Sequence, residues 1–239
     1  MNHYVYAIVE RLPSRWRPPI AGLAGASVVP RRCDELVVLS SLLDTVPSPS
    51  PRSLALHQDV VATLVDAPAT LPMPYGTAVP VAELPGWLAG HRATVTTALR
   101  AVRGCVEMTV KLLRLEGAIA RKLAGRGGGH PSGPPPGDPG EAELRALAEA
   151  LAERAALPQW RYRPSGNAGN VTAAVAFLVP RRDLAGFLAR IAPVASHAAG
   201  VAVVPTGPWV PYSFVPELGR TAVARVPVGA LDVSGRRAG

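Results

Sequence analysis

A run rich in glycine and proline, GRGGGHPSGPPPGDPG at residues 125–140, constrains the fold more than any other part of the chain. Glycine loses much conformational entropy on ordering, and proline lacks the N–H that helices and sheets need. The run therefore predicts a linker that packs into no core and separates two structured halves. It has no lysine followed by serine or threonine at the start of a helix, so it does not match a phosphate-binding loop.

The half before the linker opens with the pattern of a sheet. Residues 3–9 are apolar on both faces, which predicts a central strand. Short β-branched runs at 27–30 and 35–40 predict a hairpin. Residues 70–79 are interrupted by prolines and predict an extended edge segment with a turn.

Two helices and a further strand complete this half. Ser50 and Pro51 have the residue types of an N-cap and a first helical position. Apolar residues at helical spacing predict a second helix over 84–102, ended by Gly104. Residues 105–112 alternate and predict a strand with one buried and one solvated face. We therefore expect an N-terminal α+β domain over residues 1–112, a sheet with helices.

The linker interrupts a predicted helical pair over residues 113–157. A short basic helix at 113–124 and an alanine- and leucine-rich helix at 141–157 are expected to pair antiparallel, with the linker as a mobile tip. A C-terminal α+β domain is predicted over 158–226, followed by a basic tail at 227–239. Its expected elements are a hairpin of residues 159–164 and 171–179, a helix at 182–192 and a strand at 199–204. The predicted fold class is α+β: two small sheet-plus-helix domains joined by a helical pair with a Gly/Pro-rich tip.

The net charge of +8 raises the question of a polyanionic partner. Only two of the 25 basic residues are lysines, a bias typical of a GC-rich genome, and the arginines are scattered. No apolar run is long enough to span a membrane, and no secretory signal opens the chain. Two cysteines 72 positions apart predict reduced thiols. We expect a soluble cytoplasmic protein that binds neither nucleic acid nor membrane.

The sequence predicts no catalytic, cofactor-binding or metal site. The five histidines lack metal-ligand spacing, and no nucleophile elbow or dinucleotide fingerprint is present. His57 and His91 lie on predicted helices beside apolar residues, where a structural role is expected. Asp59 and Glu107 are isolated carboxylates and not an acid–base pair. These observations argue against an enzyme.

The segment GPWVPYSF at 207–214 concentrates aromatic residues in a chain that is only 5% aromatic. Four prolines stiffen it and its flanks. In a polyproline II segment with three residues per turn, Trp209 and Tyr212 fall on one edge and Phe214 on another. We therefore expect Phe214 to be buried as a plug of the C-terminal domain. Trp209 and Tyr212 are expected to be more exposed and to bind a partner.

This segment closely resembles the terminal signature GPWPPYSFV of the gas vesicle protein F/L family, with Val210 in place of a proline. Other stretches resemble the family in the same order: YVYAIV at 4–9, LPMPYGTAV at 71–79, GCVEMTVK at 104–111 and AFLVPRRDLAGF at 176–187. One departure lies after residue 111, where the family commonly has long helices with a G-x-x-YL stretch. Here that region is shorter and contains the Gly/Pro linker.

The resemblance implies a non-catalytic minor component or assembly factor of gas vesicles, located in the cytoplasm and at the vesicle. Its implied partner is the small, very hydrophobic shell protein, whose nucleation it would aid and whose aggregation it would prevent; other accessory proteins are further implied partners. Two alternatives from other classes stay open at this point: a cytoplasmic enzyme with a dispersed active site, and an arginine-mediated nucleic-acid binder.

Overall fold

Two antiparallel sheets and four α-helices make up the part of the chain that the computed structural model describes, an α+β fold as predicted. The described residues are 1–19, 21–115, 140–164, 171–198, 200–216 and 218. The linker up to residue 139, most of the predicted helix 113–124 and the tail 227–239 lie outside them, and with them the predicted pairing of two helices. Within the described residues, no helix combines the length and apolar character needed to cross a membrane.

The first sheet is built around its N-terminal strand, β1 (Asn2–Val9). Its neighbours are the hairpin of β2 (Val29–Cys33) and β3 (Leu36–Leu43) on one side and the short strands β4 (Thr70–Pro72) and β5 (Ala78–Pro80) on the other. All residues from Tyr4 to Val9 are fully buried, since both faces of β1 are covered. The predicted central strand is therefore confirmed.

The two faces of this sheet are covered by different helices. Helix α1 (Pro51–Ala62) begins as predicted, with the Ser50 hydroxyl accepting a hydrogen bond from Ser53 N at 3.1 Å and Pro51 in the first turn. It packs on the face of β1 that carries Tyr4 and Tyr6. Helix α2 (Leu84–Val102) packs on the opposite face, which carries Val5 and Ile8. The first sheet thus has two cores.

The second sheet consists of β6 (Cys105–Arg114), β7 (Trp160–Pro164), β8 (Val171–Pro180) and β9 (Val201–Trp209), in the order β7-β8-β6-β9. Helices α3 (Glu141–Ala155) and α4 (Leu184–His197) cover one face only. Met108, Val110 and Leu112 of β6 meet Phe177 and Phe187 in this core. On the opposite face, Cys105 and Leu178 pack toward the core under α2, and the rest of this face receives no helix of the described residues.

Strand β6 corrects two predictions. The strand was expected within an N-terminal domain of residues 1–112, but it pairs with β8 and β9 of the second sheet. It also continues through Leu113 and Arg114, where a helix was predicted. Alternation fixes which face of a strand is apolar but not which strands it pairs with, so the sequence pattern was compatible with either sheet. Any division of the chain into domains must place β6 with the second sheet.

Short connections join the two sheets at the start of β6. The backbone N–H of Gly104 donates to Pro68 O at 2.8 Å, and Arg181 N donates to Gly104 O at 2.9 Å. The Arg181 guanidinium donates to the carbonyls of Val65 and Ala67, beyond α1. Leu178 of β8 packs into the core under α2. The two sheets are therefore in direct contact.

Candidate partner-binding site

The terminal signature, residues 207–214, begins inside strand β9 and ends in a 3₁₀ turn at Tyr212–Phe214. The predicted polyproline II segment is therefore wrong, because Trp209 pairs with Glu107 of β6 as a strand residue. Strand β9 bulges just before this pair, where Gly207 and Pro208 share a cis peptide bond. The bulge carries Trp209 onto the same face of the sheet as Glu107.

Only glycine fits at position 207. Its φ is +125°, which L side chains rarely adopt. A Cβ at this position would also come within 2.9 Å of both the Glu107 carbonyl oxygen and Met108 Sδ. The close approach of the two backbones explains why the signature starts with this residue type.

Glu107 anchors the end of the signature. Its carboxyl accepts hydrogen bonds from the backbone N–H and the hydroxyl of Ser213, both at 2.7 Å, and from Thr109 Oγ1 at 3.3 Å. Glu107 is buried, which corrects its predicted place on a solvated face. Burial raises its pKa, against the opposing effects of the hydrogen bonds from Ser213 and Thr109 and the charge of Arg163.

Tyr212 is half-buried and does not have the exposure that we expected. Its ring packs beside Val210 in the core under α1, the core of the opposite sheet. Its hydroxyl is buried, and no described residue offers it a hydrogen bond. Burial and the neighbouring Glu107 both raise the pKa of this hydroxyl. Tyr212 therefore ties the signature to the first sheet, which proline spacing alone did not predict.

Phe214 is also half-buried, and it does not plug the C-terminal core. It packs with Val215 and Leu218 against the core under α2. The Arg161 guanidinium lies over its ring, 5.4 Å from the centroid. The segment after β9 thus lies between the two sheets: Glu107 and Arg161 of the second sheet contact it, and its apolar side chains fill gaps in both cores of the first.

Trp209 is the one aromatic side chain of the signature that is exposed, at 43%. Its indole Nε1 lies 3.5 Å from Thr206 Oγ1 on the same strand. Exposure of Trp209 agrees with the sequence-based expectation. Of the two candidate partner-binding residues, Trp209 presents a large apolar surface to solvent. The packing of Tyr212 mainly holds the backbone around Trp209 in place.

A buried aromatic cluster of Tyr4, Tyr6, His57 and Tyr75 lies beneath the signature. His57 Nε2 donates to the Met73 carbonyl at 3.0 Å, and its Nδ1 accepts from the Tyr4 hydroxyl at 2.8 Å. Burial lowers the pKa of His57 to about 4, so the ring is neutral at pH 7. The expected structural role of His57 is confirmed by these contacts.

The described residues contain no group of three or more His, Cys, Asp or Glu side chains placed to hold a metal ion. A shallow groove of about 360 Å³ lies between α3 and α4. It is lined by Leu147, Arg154, Pro193, Val194 and Ala198 and has no carboxylate or histidine. Its lining offers no acid–base pair.

The Glu107–Ser213 pair is not predicted from the sequence. Each residue lay in a stretch that resembled the family, but nothing in a single sequence links positions 106 apart. A buried glutamate on a strand is expected to have donors nearby, which is the only available signal.

Comparisons with known proteins identify a matching family. A family model described as gas vesicle synthesis protein GvpL/GvpF matches residues 2–127 and 140–216. No curated protein matches the chain.

Two solved structures share the fold. The gas vesicle protein GvpF from Anabaena sp. PCC7120 has 15% sequence identity and a TM-score of 0.67, over 90% of this chain and 98% of its own. GvpF from Microcystis aeruginosa has 13% identity and a TM-score of 0.66, over 90% and 99%. The match of the family model over most of the sequence shows that the chain belongs to the GvpL/GvpF family of gas vesicle proteins.

Proposed function

We propose that this chain is a minor component or assembly factor of gas vesicles that binds the hydrophobic small shell subunit directly. By covering apolar surface of that subunit it would prevent aggregation and aid nucleation of the shell. The proposed role needs no catalysis, nucleic acid or membrane. The protein would carry it out in the cytoplasm and at the vesicle. Membership of the GvpL/GvpF family supports the proposal.

The observation that carries the proposal is the contrast between Trp209 and its neighbours. Val210 is buried in one core, Ser213 is hydrogen-bonded to Glu107, and Phe214 packs on another core. Trp209 is held by this rigid frame and still exposes 43% of its surface. A preorganised tryptophan loses little entropy on binding and is a frequent centre of binding energy. We assign the direct contact to Trp209 and the rim of the contact to Tyr212.

Co-expression with the shell subunit tests the proposal. The chain carries an affinity tag, and the shell subunit is quantified in the soluble fraction and in the eluate. We expect the shell subunit to co-purify and its soluble share to rise. A shell subunit that stays entirely in the aggregate, while both proteins are produced and this chain is soluble, would contradict the proposal.

A further inference from the structure

Away from its contact with the first sheet, one face of the second sheet receives no helix of the described residues. Met108, Val110 and Leu112 of β6 point to the core under α3 and α4, so the residues between them point the other way. The same alternation holds on the other three strands, where core residues include Tyr162, Val175 and Val203. We name the opposite side the helix-free face. Its accessible residues are Thr109, Lys111, Arg161, Arg163, Ala174, Ala202, Val204, Thr206 and Trp209, whereas Ala176, Glu107 and Leu178 on the same side are buried.

The strand register arranges this face in rows. Arg163 pairs with Ala174, Ala174 with Lys111, and Lys111 with Val204, so one row crosses all four strands. The side chain of Ala174 ends at Cβ, so it is much shorter than the basic side chains of Arg163 and Lys111 on either side of it. Val204, 36% exposed, adds an apolar edge beside Lys111. The row therefore places a small apolar residue between two cations, with an apolar valine next to Lys111.

The exposed charged side chains of this face are all basic. Lys111, Arg161 and Arg163 form no ion pair with any described residue. Among the described strand residues of this face, the only carboxyl is that of Glu107, which is buried and hydrogen-bonded to Ser213. Unpaired cations around an apolar floor are complementary to a surface that combines carboxylates with apolar side chains.

We propose that the helix-free face binds an amphipathic protein segment whose apolar stripe is flanked by carboxylates. The apolar stripe lies on Ala174 and Val204 and extends toward Trp209, while its carboxylates meet Arg163 and Lys111. Addition of a strand to the free edge of β9 is disfavoured, because Pro205 and Pro208 have no N–H to donate. The proposed contact is therefore the face and not the β9 edge.

Two other occupants fit the face less well. The chain's own segments at 116–139 and 219–239 contain more basic than acidic residues, so the cations would repel them. Single-stranded nucleic acid is bound on sheets by aromatic side chains that stack on bases. The central strands place Thr109, Lys111, Ala174 and Ala176 there, none of which is aromatic.

Binding of two synthetic helical peptides tests the inference. Both have leucines at positions i, i+3, i+4 and i+7; one has flanking glutamates and the other has lysines in their place. Fluorescence anisotropy at low and high salt is measured with the full chain. We expect the glutamate peptide to bind, more weakly at high salt, and the lysine peptide not to bind. Equal binding of both peptides, or of neither, would overturn the inference.

Charge reversal locates the site. Lys111→Glu with Arg163→Glu should weaken binding of the glutamate peptide by about tenfold or more. The matched control is Arg52→Glu with Arg100→Glu, since both arginines are exposed on α1 and α2 and the net charge changes equally. Equal weakening by both pairs would overturn the assignment to this face. If the first pair does not fold, Lys111→Gln with Arg163→Gln replaces it, and unchanged affinity then overturns the assignment.

A nucleic-acid competitor and the shell subunit serve as separate readouts. Displacement of the glutamate peptide by a single-stranded oligonucleotide of higher affinity would reassign the face to nucleic acid and overturn the inference. Co-purification of the shell subunit is scored independently, because the inference does not rest on the proposed function. Peptide binding without shell-subunit binding would contradict only the proposed function.

Discussion

Glu107 on β6 accepts two hydrogen bonds of 2.7 Å from Ser213, although 106 residues separate them in sequence. The pair fixes the end of the terminal signature to the middle of the second sheet. It also leaves Trp209, which pairs with Glu107 in the strand register, as the exposed member of the segment.

Removal of this anchor is expected to destabilise the protein. Glu107→Ala leaves the Ser213 N–H and hydroxyl without their acceptor, and we expect a loss of about 3 kcal/mol in the free energy of unfolding. Ser213→Ala removes only the hydroxyl donor and should cost about 1–2 kcal/mol. Urea unfolding measures both, with Thr109→Val as control because its hydrogen bond is longer, at 3.3 Å. A Thr109→Val loss equal to that of Glu107→Ala would contradict the assigned anchor.

Gly207→Ala should destabilise the protein by more than about 2 kcal/mol. The residue has φ of +125° and the added Cβ would contact Glu107 O and Met108 Sδ at 2.9 Å. Gly25→Ala is the matched control, since Gly25 also has positive φ, +75°, but has open space around the added Cβ. We expect Gly25→Ala to lower the free energy of unfolding by about 1 kcal/mol. Thermal unfolding measures the stability of both variants. Equal losses of stability would show that the neighbours of Gly207 move aside for the added Cβ without an energetic cost.

Phe214→Ala and Phe187→Ala should differ in cost. Phe187 is fully buried in the core under α3 and α4, and its truncation is expected to cost about 3–5 kcal/mol. Phe214 is half-buried, so we expect Phe214→Ala to lower the free energy of unfolding by about 2 kcal/mol through lost packing. Denaturant unfolding monitored by circular dichroism gives both values. A larger loss for Phe214 than for Phe187 would contradict this ranking of the two packing sites.

His57 is expected to make stability fall at acidic pH. Its pKa is about 4 in the folded protein, below its ordinary 6.5, because the ring is buried. The unfolded chain therefore takes up a proton first as the pH falls. The contribution of neutral His57 to the free energy of unfolding is fully present above pH 6.5. Between pH 6.5 and 4 the free energy of unfolding falls by about 3 kcal/mol on this account.

His57→Gln provides the comparison for this pH effect. Glutamine can still donate to the Met73 carbonyl but does not titrate. The difference in unfolding free energy between the two proteins, measured at intervals from pH 7.5 to 4, should shrink as the pH falls. A difference that stays constant across this range would show that His57 does not titrate on unfolding.

Trp209→Ala should separate binding from stability. Because the side chain is exposed, we expect the free energy of unfolding to change by only about 0.5–1 kcal/mol. Recovery of the shell subunit in co-expression should nevertheless drop severalfold. Trp160→Ala is the control, since Trp160 packs on the core of the second sheet and its loss should destabilise without a specific effect on binding. Unchanged recovery with Trp209→Ala would remove this residue from the contact.

The sequence was most informative where a local signal decides the structure. Ser50 and Pro51 begin α1 as their residue types predict, and the apolar residues on both faces of β1 required a central strand. These features depend on neighbours a few positions apart. The exposure of Trp209 also agreed with expectation.

The sequence was least informative where contacts join distant segments. Alternation in β6 could not reveal that its partners are β8 and β9, or that Glu107 on its polar side would be buried under Ser213. Tyr212 was expected to be exposed from the proline spacing, but it packs in the core under α1 with Tyr4 of the first sheet and Val210 of its own segment. A single sequence contains no signal for such contacts.

The packing of residues 210–216 and 218 on the first sheet has a consequence for synthesis. Strand β1 is translated about 200 residues before Val210 and Leu218, which complete the two cores around it. An N-terminal half made alone would keep apolar gaps where these side chains belong, and unfilled cores invite aggregation or proteolysis. A prematurely terminated chain therefore lacks both a finished core and Trp209. Fold completion and display of that side chain are coupled, so only full-length translation products would compete for a partner.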